Sequence, residues 1–474
     1  MNWETVIGLE VHAELSTKSK IFCSCAVSFG DDSNTRCCPV CLGLPGTMPN
    51  LNQEVLRFAV KACLALGCQI RRRIAFDRKN YFYPDLPKSY QITQHRYPIG
   101  FNGMFQLPNG KEIRIEELHM EEDAGKLLHM QEGTICDDNR CGVPLLEIVT
   151  CPDFRDADEV VTFLASLQRI LQYLGISDGK MQEGSLRADV NISVHKLDER
   201  LGQRVEMKNL SSFRTIKEAI QYEYFRQTEV LESGKMVAAE TRGWNEDKKE
   251  TYSLRNKEKV QDYRYFPEPD IPEIIIEENW VKEIQECLPE LPAHKMKRYM
   301  DMYRLTDNEA NILTADRSVS AFFEELIACG ITPKLAAKWI LREVLAYLNE
   351  HNAAYNDLSL SAKSFSDLIF LTEAKKINRQ TAKEIFSLLC KKDFDVPSYV
   401  KTHSLWLENN DAENSKVVSH IISIHQKAVL DFCTGKEKVL GFLVGQCMKE
   451  LKGRGNPEVI KEILINYLKN EMGK

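Results

Sequence analysis

The chain has 474 residues, 43% of them hydrophobic and 28% charged, enough apolar material for two to four domains with cores of their own. No run of about 18 apolar residues occurs, and the start MNWETVIGLEVHAEL has no basic segment ahead of an apolar one, so neither a membrane span nor a cleaved leader is expected and the cytoplasm is the default compartment. A net charge of -7, from 62 basic and 69 acidic residues, argues against non-specific coating of nucleic acid but leaves room for a local basic patch.

In chain order, residues 1–292 are rich in Gly, Pro and Asn and in short strand-like runs, such as Thr5–Val11, Ile113–Ile115 and Val190–Val194. Two stretches carry helical periodicity. Residues 53–66 place Val55, Phe58, Ala59, Ala62 and Leu66 on one face; residues 157–174 do the same with Val160, Phe163, Leu164, Leu167, Ile170 and Leu171. Strands and helices do not alternate regularly, which predicts an α+β domain with a large antiparallel or mixed sheet. The proline-rich run Tyr265 to Pro272 reads as a boundary loop. Beyond Pro292 the pattern is helical. A helical domain is expected over 293–405, where Thr332-Pro333 opens one helix, and a small helical tail domain over 406–474. In the tail, Asn456 and Pro457 suit an N-cap and a first helical position, with Val459, Ile460, Ile463, Leu464, Tyr467 and Leu468 facing inward. Basic residues outnumber acidic ones from Lys427 onward, which suits either a solvated helical surface or an RNA contact.

Fifteen cysteines, without a secretion signal, make a disulfide framework the poorer reading. Cys23-Ser24-Cys25 and Cys38-Pro39-Val40-Cys41 are two close pairs separated by a short loop, a spacing that suits four thiolates around one tetrahedral Zn²⁺. Four protein ligands leave no open position, so such a zinc is structural. Cys37 stands beside the set as a possible substitute. Reduced, partly buried thiols are the plain alternative, and a redox pair a weaker one, because this CxxC does not sit at a strand-to-helix junction.

Polar residues interrupt the strand-like runs. Glu10 and His12, two apart, share one face of a strand. Glu121-Glu122-Asp123 is an acidic triplet that needs solvent or a cation, and Glu147 breaks the apolar run Pro144–Val149, where a lone carboxylate is costly unless paired or metal-bound. Such groups supply the oxygens Mg²⁺ prefers; Mn²⁺ is also compatible, and His12 would be an unusual extra ligand. On the basic side, Arg78 to Lys88 interleaves Lys79, Tyr81 and Lys88 with further aromatics; Arg187, Asp189 and Asn191 alternate onto one strand face; and Lys208 and Asn209 lie in Glu206 to Phe213. No GxxxxGK[ST] and no GxGxxG after a strand is present, so a nucleotide would have to bind on a sheet through metal and Lys or Arg.

The stretches GLEVHAEL, TKSKIFCSC, CPVCLGLPG, FDRKNYFYPDLPKSYQIT, HMEEDAGK, PLLEIVTCPDFR, MQEGSLRADVNISV, EMKNLSSF, DYRYFPEPDIPE and GFLVGQCMKELKGRGNP occur in this order along the chain. They resemble, over the whole length, the family of B subunits of the bacterial and organellar aspartyl/glutamyl-tRNA amidotransferases. The resemblance implies a glutamine-synthetase-like cradle domain at 1–292. It implies a heterotrimer with an amidase-type glutaminase subunit and a small third subunit, and a tail domain that binds tRNA. It further implies that ATP phosphorylates the side-chain carboxylate of Glu-tRNA(Gln) or Asp-tRNA(Asn) and that ammonia then displaces phosphate. Carried over by resemblance, Glu10, His12, Glu122 and Glu147 form the Mg²⁺ site, with Glu121 and Asp123 as neighbours. Lys79, Lys88, Arg187 and Lys208 contact phosphate or carboxylate, and Tyr81, Asp189, Asn191 and Asn209 line the ATP and substrate side. His195-Lys196 and Ser211-Ser212-Phe213 depart from the common pattern of relatives, which leaves the role of the second loop open. Some relatives lack the cysteines, so zinc is not essential to the reaction type. The rival readings are a carboxylate–ammonia ligase acting on a free amino acid and a zinc-bearing RNA-binding protein without catalysis.

Overall fold

The computed structural model describes residues 3–130, 132–256, 263–407, 411–433, 439–451 and 457–472. The chain divides into two compact units, Met1–Pro292 and Ala293–Lys474. The first is built on a nine-stranded sheet. Its strands in chain order are β1 (Trp3–Glu14), β2 (Gln69–Ile70), β3 (Gly100–Gln106), β4 (Glu112–Glu122), β5 (Pro144–Thr150), β6 (Leu186–Lys196), β7 (Val205–Lys208), β8 (Glu240–Asn245) and β9 (Glu250–Asn256). The spatial order is β9-β8-β7-β6-β1-β5-β4-β3-β2, so the first strand of the chain lies at the centre. Every neighbouring pair is antiparallel except β7 and β8, whose parallel pairing uses the helix Phe213–Glu232 as its crossover. The sheet is therefore mixed and the unit α+β, as the run of short strands predicts.

One face of the sheet is apolar. Ile7, Leu9, Val11 and Ala13 of β1 alternate with outward-facing residues and pack with Leu146 and Ile148 of β5 and Ala188, Val190 and Ile192 of β6. Three helices cover this face: α1 (Gln53–Ala65), α2 (Ala157–Leu174) and α3 (Phe213–Glu232). The bounds of α1 and α2 match the periodicity in the sequence, and their expected inward residues are buried. Asp156 caps α2 by accepting from the Glu159 amide at 2.9 Å, and Gly175 ends it in the left-handed conformation, φ 67°. Burying each Leu, Ile or Phe of the α2 stripe stabilises the unit by about 1.5–3 kcal/mol before the entropy of ordering is counted.

The proline-rich run is not a boundary loop. Phe266 and Pro267 pair with Arg78 and Asp77 on the edge of a small three-stranded sheet completed by Tyr90–Thr93. Proline tolerates such an edge position. Glu268 then accepts two hydrogen bonds from the Arg78 guanidinium, at 2.7 and 2.8 Å, which ties the run to the first unit.

The second unit is helical and holds two apolar clusters. One gathers Tyr299, Phe322, Phe323, Trp339, Phe365 and Phe386, and the other Val418, Leu443, Cys447, Ile460, Leu464 and Leu468. Thr332 and Pro333 open a helix as expected. In the tail, Asn456 lies outside the described residues, while Pro457 begins the helix Pro457–Met472. Its buried stripe is Ile460, Leu464 and Leu468; Tyr467, expected inward, is 40% exposed.

Candidate active site on the charged face of the sheet

The opposite face of the sheet carries titratable side chains across five adjacent strands. Strand register explains the gathering. His12 of β1 faces Glu147 of β5, which in turn faces His119 of β4. On the other side, Glu10 faces Asp189 of β6, His12 faces Arg187, and Asn191 faces Glu206 of β7. Because side chains alternate with a period of two, Glu10, His12 and Glu14 leave the core together.

The centre is a cluster of His12, Glu121 and Glu147, whose side chains each place a nitrogen or oxygen atom within 4.8 Å of the others. His12 Nε2 is 3.4 Å from Glu121 Oε1 and 3.5 Å from Glu147 Oε2, and His119 Nε2 is 2.9 Å from Glu147 Oε2. Burial alone would push His119 down, but Glu147, Glu117 and Glu121 more than offset it and hold the imidazolium to about 10. Burial would raise Glu147, yet His119 and His12 keep it well below the ordinary carboxylate range. Glu121 is raised by burial and by the charge of Glu147.

A second cluster, Glu10, Asp189 and Glu206, adjoins the first along β1 and has the same 4.8 Å spread. Asn191 donates to Glu10 at 3.0 Å, and the Thr241 hydroxyl donates to Glu206 at 3.0 Å. Lys208 bridges Asp189 and Glu206, the latter at 3.0 Å. At the far end of β1, Arg187 donates to Asp123 at 2.8 Å, and burial together with Asp123 pushes the Glu14 carboxyl up to about 8. Above the first cluster, the Lys79 ammonium lies 5.0 Å from the Tyr263 ring; burial would lower it, but Glu121 and Glu147 raise it. Tyr81, Tyr263 and Tyr265 form an edge-to-face series, ring centroids 6.0 and 6.1 Å apart, and His95 stacks on Tyr265 at 4.1 Å.

The structure brings together only part of the expected set Glu10, His12, Glu122 and Glu147. His12 and Glu147 meet, but the third carboxylate of that cluster is Glu121, and Glu10 belongs to the neighbouring cluster. Glu122 points away, pairs with Lys88 and accepts from the Ile92 amide at 2.9 Å. A β-bulge is the cause. Register with β5 slips by one residue between Val149 and Thr150, so that Ile115 and Leu118, rather than Ile115 and Glu117, both reach the apolar side. The slip reverses the side-chain phase of the strand end. Lys88, paired with Glu122, is thereby separated from the charged face, where Lys79, Arg187 and Lys208 lie. Asn209 follows β7 in the left-handed conformation, φ 62°, and is exposed. Glu14, Glu117, His119, Glu206 and Tyr263 were not expected; the alternation E-V-H-A-E of β1 signalled Glu14, while Glu206 becomes visible only once β7 is laid beside β6.

Behind this end of the sheet, Cys23, Cys25, Cys38 and Cys41 converge with their sulfurs within 4.8 Å of one another. Cys38 and Cys41 Sγ are 3.9 Å apart, and the Cys38 amide donates to Cys41 Sγ at 3.1 Å. A hydrogen bond from Cys23, reinforced by the Cys38 backbone and by Lys20, brings the Cys41 thiol down to about 4. Lys20 is fully buried, with its ammonium 3.6 Å from that sulfur. Cys37 stays outside the group, its thiol 3.8 Å from Asn139 Oδ1.

The family model of the GatB/GatE catalytic domain matches residues 5–282, and that of the GatB domain matches residues 321–468. The chain is 48% identical over 472 residues to the aspartyl/glutamyl-tRNA(Asn/Gln) amidotransferase B subunit of Lachnoclostridium phytofermentans, covering 98% of this chain and 99% of the relative. It is 48% identical over 477 residues to the protein of that name from Caldicellulosiruptor saccharolyticus, covering 99% of each. Identity to the Carboxydothermus hydrogenoformans protein of that name is 44% over 475 residues, covering 98% and 99%. Chain-length identity at this level, joined to a catalytic-domain match over the sheet that carries the charged face, places this chain in the family of aspartyl/glutamyl-tRNA amidotransferase B subunits.

Proposed function

We propose that this chain activates the side-chain carboxylate of Glu-tRNA(Gln) or Asp-tRNA(Asn) on the charged face of its sheet. ATP phosphorylates the carboxylate, giving an acyl phosphate and ADP. Ammonia supplied by a glutaminase subunit then attacks the acyl carbon, phosphate leaves, and the amide remains on the tRNA. The observation that carries this reading is the pair of adjacent ligand clusters, His12–Glu121–Glu147 and Glu10–Asp189–Glu206, on one open sheet face.

The donor set fits hard divalent cations, because five of the six side chains are carboxylates. Mg²⁺ held by these residues would supply positive charge that offsets the charge of the phosphate groups. The residues themselves hold the site ready. His119 keeps Glu147 ionised, Thr241 and Asn191 orient Glu206 and Glu10, and Lys79 presents a half-buried cation beside the first cluster. Arg187 and Lys208, held by Asp123 and Asp189, border the face where phosphate and carboxylate oxygens would lie. The rings of Tyr81, Tyr263 and Tyr265 supply a surface for a base. A coat of carboxylates would repel a phosphate backbone, which disfavours a purely RNA-binding role for this face.

The four cysteines fit a zinc ion. A tetrahedron with metal–sulfur bonds of ~2.3 Å has edges of about 3.8 Å, close to the Cys38–Cys41 separation of 3.9 Å. The exposed Lys427, Lys449 and Lys461 of the tail are the surface proposed for tRNA. Assembly with an amidase-type glutaminase and a small third subunit completes the reading.

The test is phosphate release from ATP by the chain assembled with those two subunits. Release that requires Glu-tRNA(Gln) or Asp-tRNA(Asn), followed by amidated tRNA when glutamine is added, is the expected result. Release with free glutamate alone would replace the reading by a small-molecule ligase, and no release with either charged tRNA would leave a binding role.

A further inference from the structure

The loop that follows the second cysteine pair reaches the charged face through a chain of contacts that begins at one glycine. Gly43, two residues beyond Cys41, has φ 65° and lies against the Lys88 side chain. A methyl group on Gly43 would collide with Lys88 Cγ and lie within 3.2 Å of its Cβ and Cδ. Lys88 is itself 9% exposed, and its ammonium pairs with Glu122, which is 3% exposed. Glu122 accepts from the Ile92 amide at 2.9 Å, and its own carbonyl accepts from the Gln91 side chain at 2.7 Å. One residue further on, the Thr93 hydroxyl reaches Glu121 Oε2 at 3.5 Å. Glu121 is the carboxylate of the first cluster that the bulge brings to the charged face. Between the cysteines and this pair lies a cavity of about 170 Å³ bordered by Lys20, Cys41, Gly43, Lys88, Glu122 and Gly142. The cysteine centre and the charged face are thus joined by packed side chains over one short path.

We propose that Gly43 is a positioning residue: the four-cysteine loop, folded by its metal, holds Lys88 against Glu122 through the bare Cα of Gly43 and so fixes Glu121 for the reaction. Any side chain at 43 pushes the Lys88 stem aside, and loss of the metal lets the loop withdraw from it. Either change leaves Glu122 without its buried counter-charge and loosens the strand Tyr90–Thr93 that borders Glu121. The inference rests on the proposed role of the charged face only for its effect on turnover; the placement of Lys88 is measured independently.

The experiment uses the assembled complex and the variants Gly43→Ala, Lys88→Ala and their combination. Lys88 is labelled by reductive methylation and quantified by mass spectrometry in zinc-loaded and zinc-stripped wild type and in zinc-loaded Gly43→Ala. The expected result is labelling at least fivefold faster in both perturbed forms, with one zinc per chain retained in Gly43→Ala. Turnover should fall at least tenfold in Gly43→Ala with KM for charged tRNA within twofold of wild type. In the Lys88→Ala background the same glycine change should add less than a twofold loss, because the collision with Cγ and Cδ is gone, while the close approach to the Cβ of residue 88 and the backbone strain at φ 65° persist. An additive loss in the double variant would assign the effect to backbone strain and overturn the proposal. Wild-type labelling rates in Gly43→Ala, or in the zinc-stripped protein, would overturn it as well. If Lys88→Ala does not fold, the labelling comparison decides alone. Failure of amidation in every form with labelling as expected would count against the reading of the charged face, not against the positioning role.

Discussion

The two faces of the nine-stranded sheet are made by the same strands, and yet they obey different physical rules. On the helix-covered side, Leu9, Val11, Ile148 and Val190 sit in one continuous apolar core, where stability grows with area removed from water. On the other side, the residues between them in sequence, including Glu10, His12, Glu147 and Asp189, hold like charges close together at an electrostatic cost. A core face tolerates exchange of one apolar residue for another of similar size. On the proposed reading the charged face holds a cation and fails when one of its ligands changes. What separates the two is a single residue of strand phase, so a substitution on one face and its immediate neighbour on the other make a direct comparison.

The largest difference is expected at Glu147. Glu147→Gln should lower tRNA-dependent phosphate release about 10²–10³-fold, because it removes a ligand and the partner of both His12 and His119. Its circular dichroism spectrum at 25 °C should remain that of the folded wild type. Near-normal amidation by this variant would remove the residue from the site.

The pair Glu121 and Glu122 sharpens the comparison, since the two are adjacent and face apart. Glu121→Gln should weaken Mn²⁺ binding by about 10–100-fold at little cost in stability. Glu122→Gln should weaken Mn²⁺ binding less than Glu121→Gln does, because it reaches Glu121 only through the strand Tyr90–Thr93, but it should orphan the buried Lys88, at a cost of about 3–5 kcal/mol in denaturant unfolding. The reverse pattern would put the bulge in the wrong place.

A third difference concerns pH. His12, Glu10 and Glu121 all hold their protons above their ordinary values, His12 above 6.5, for reasons of burial and neighbouring carboxylates. A bound cation must displace those protons, so Mn²⁺ affinity should rise with pH above 6.5, about tenfold per unit for each proton released. Isothermal titration in buffers of different ionisation enthalpy counts the protons; affinity independent of pH would mean that these ligands do not bind the ion. The smallest effect belongs to the apolar face. Ile148→Val should cost about 0.5–1.5 kcal/mol of stability and leave phosphate release unchanged, although Ile148 adjoins Glu147 in sequence.

Much of this is legible in the sequence alone. The helices α1 and α2 follow from local periodicity, and the polar interruptions in GLEVH and PLLEI mark the charged face, because a buried strand carries carboxylates only for a reason. The four cysteines follow from spacing alone. Three features are not legible. The choice between Glu121 and Glu122 depends on a bulge: counting in twos from Ile113 and Ile115 selects Glu122, and nothing in EIRIEELHMEE itself announces the slip opposite Val149 and Thr150. Glu206 enters the second cluster through the lateral pairing of β7 with β6, a long-range contact that local pattern does not encode. The proline-rich run looks like a linker because proline disfavours central strands, whereas here it lies on an edge, held by Arg78 and Glu268.

The most direct test of the central claim is Mn²⁺ titration of the assembled complex followed by electron paramagnetic resonance, with ATP present. Wild type should bind two ions, the Glu121→Gln/Glu147→Gln double variant one, and further change of Glu206 to Gln none at the same concentrations. Two ions bound with unchanged affinity in the double variant would contradict the account and place the metal-dependent chemistry somewhere other than the charged face of the sheet.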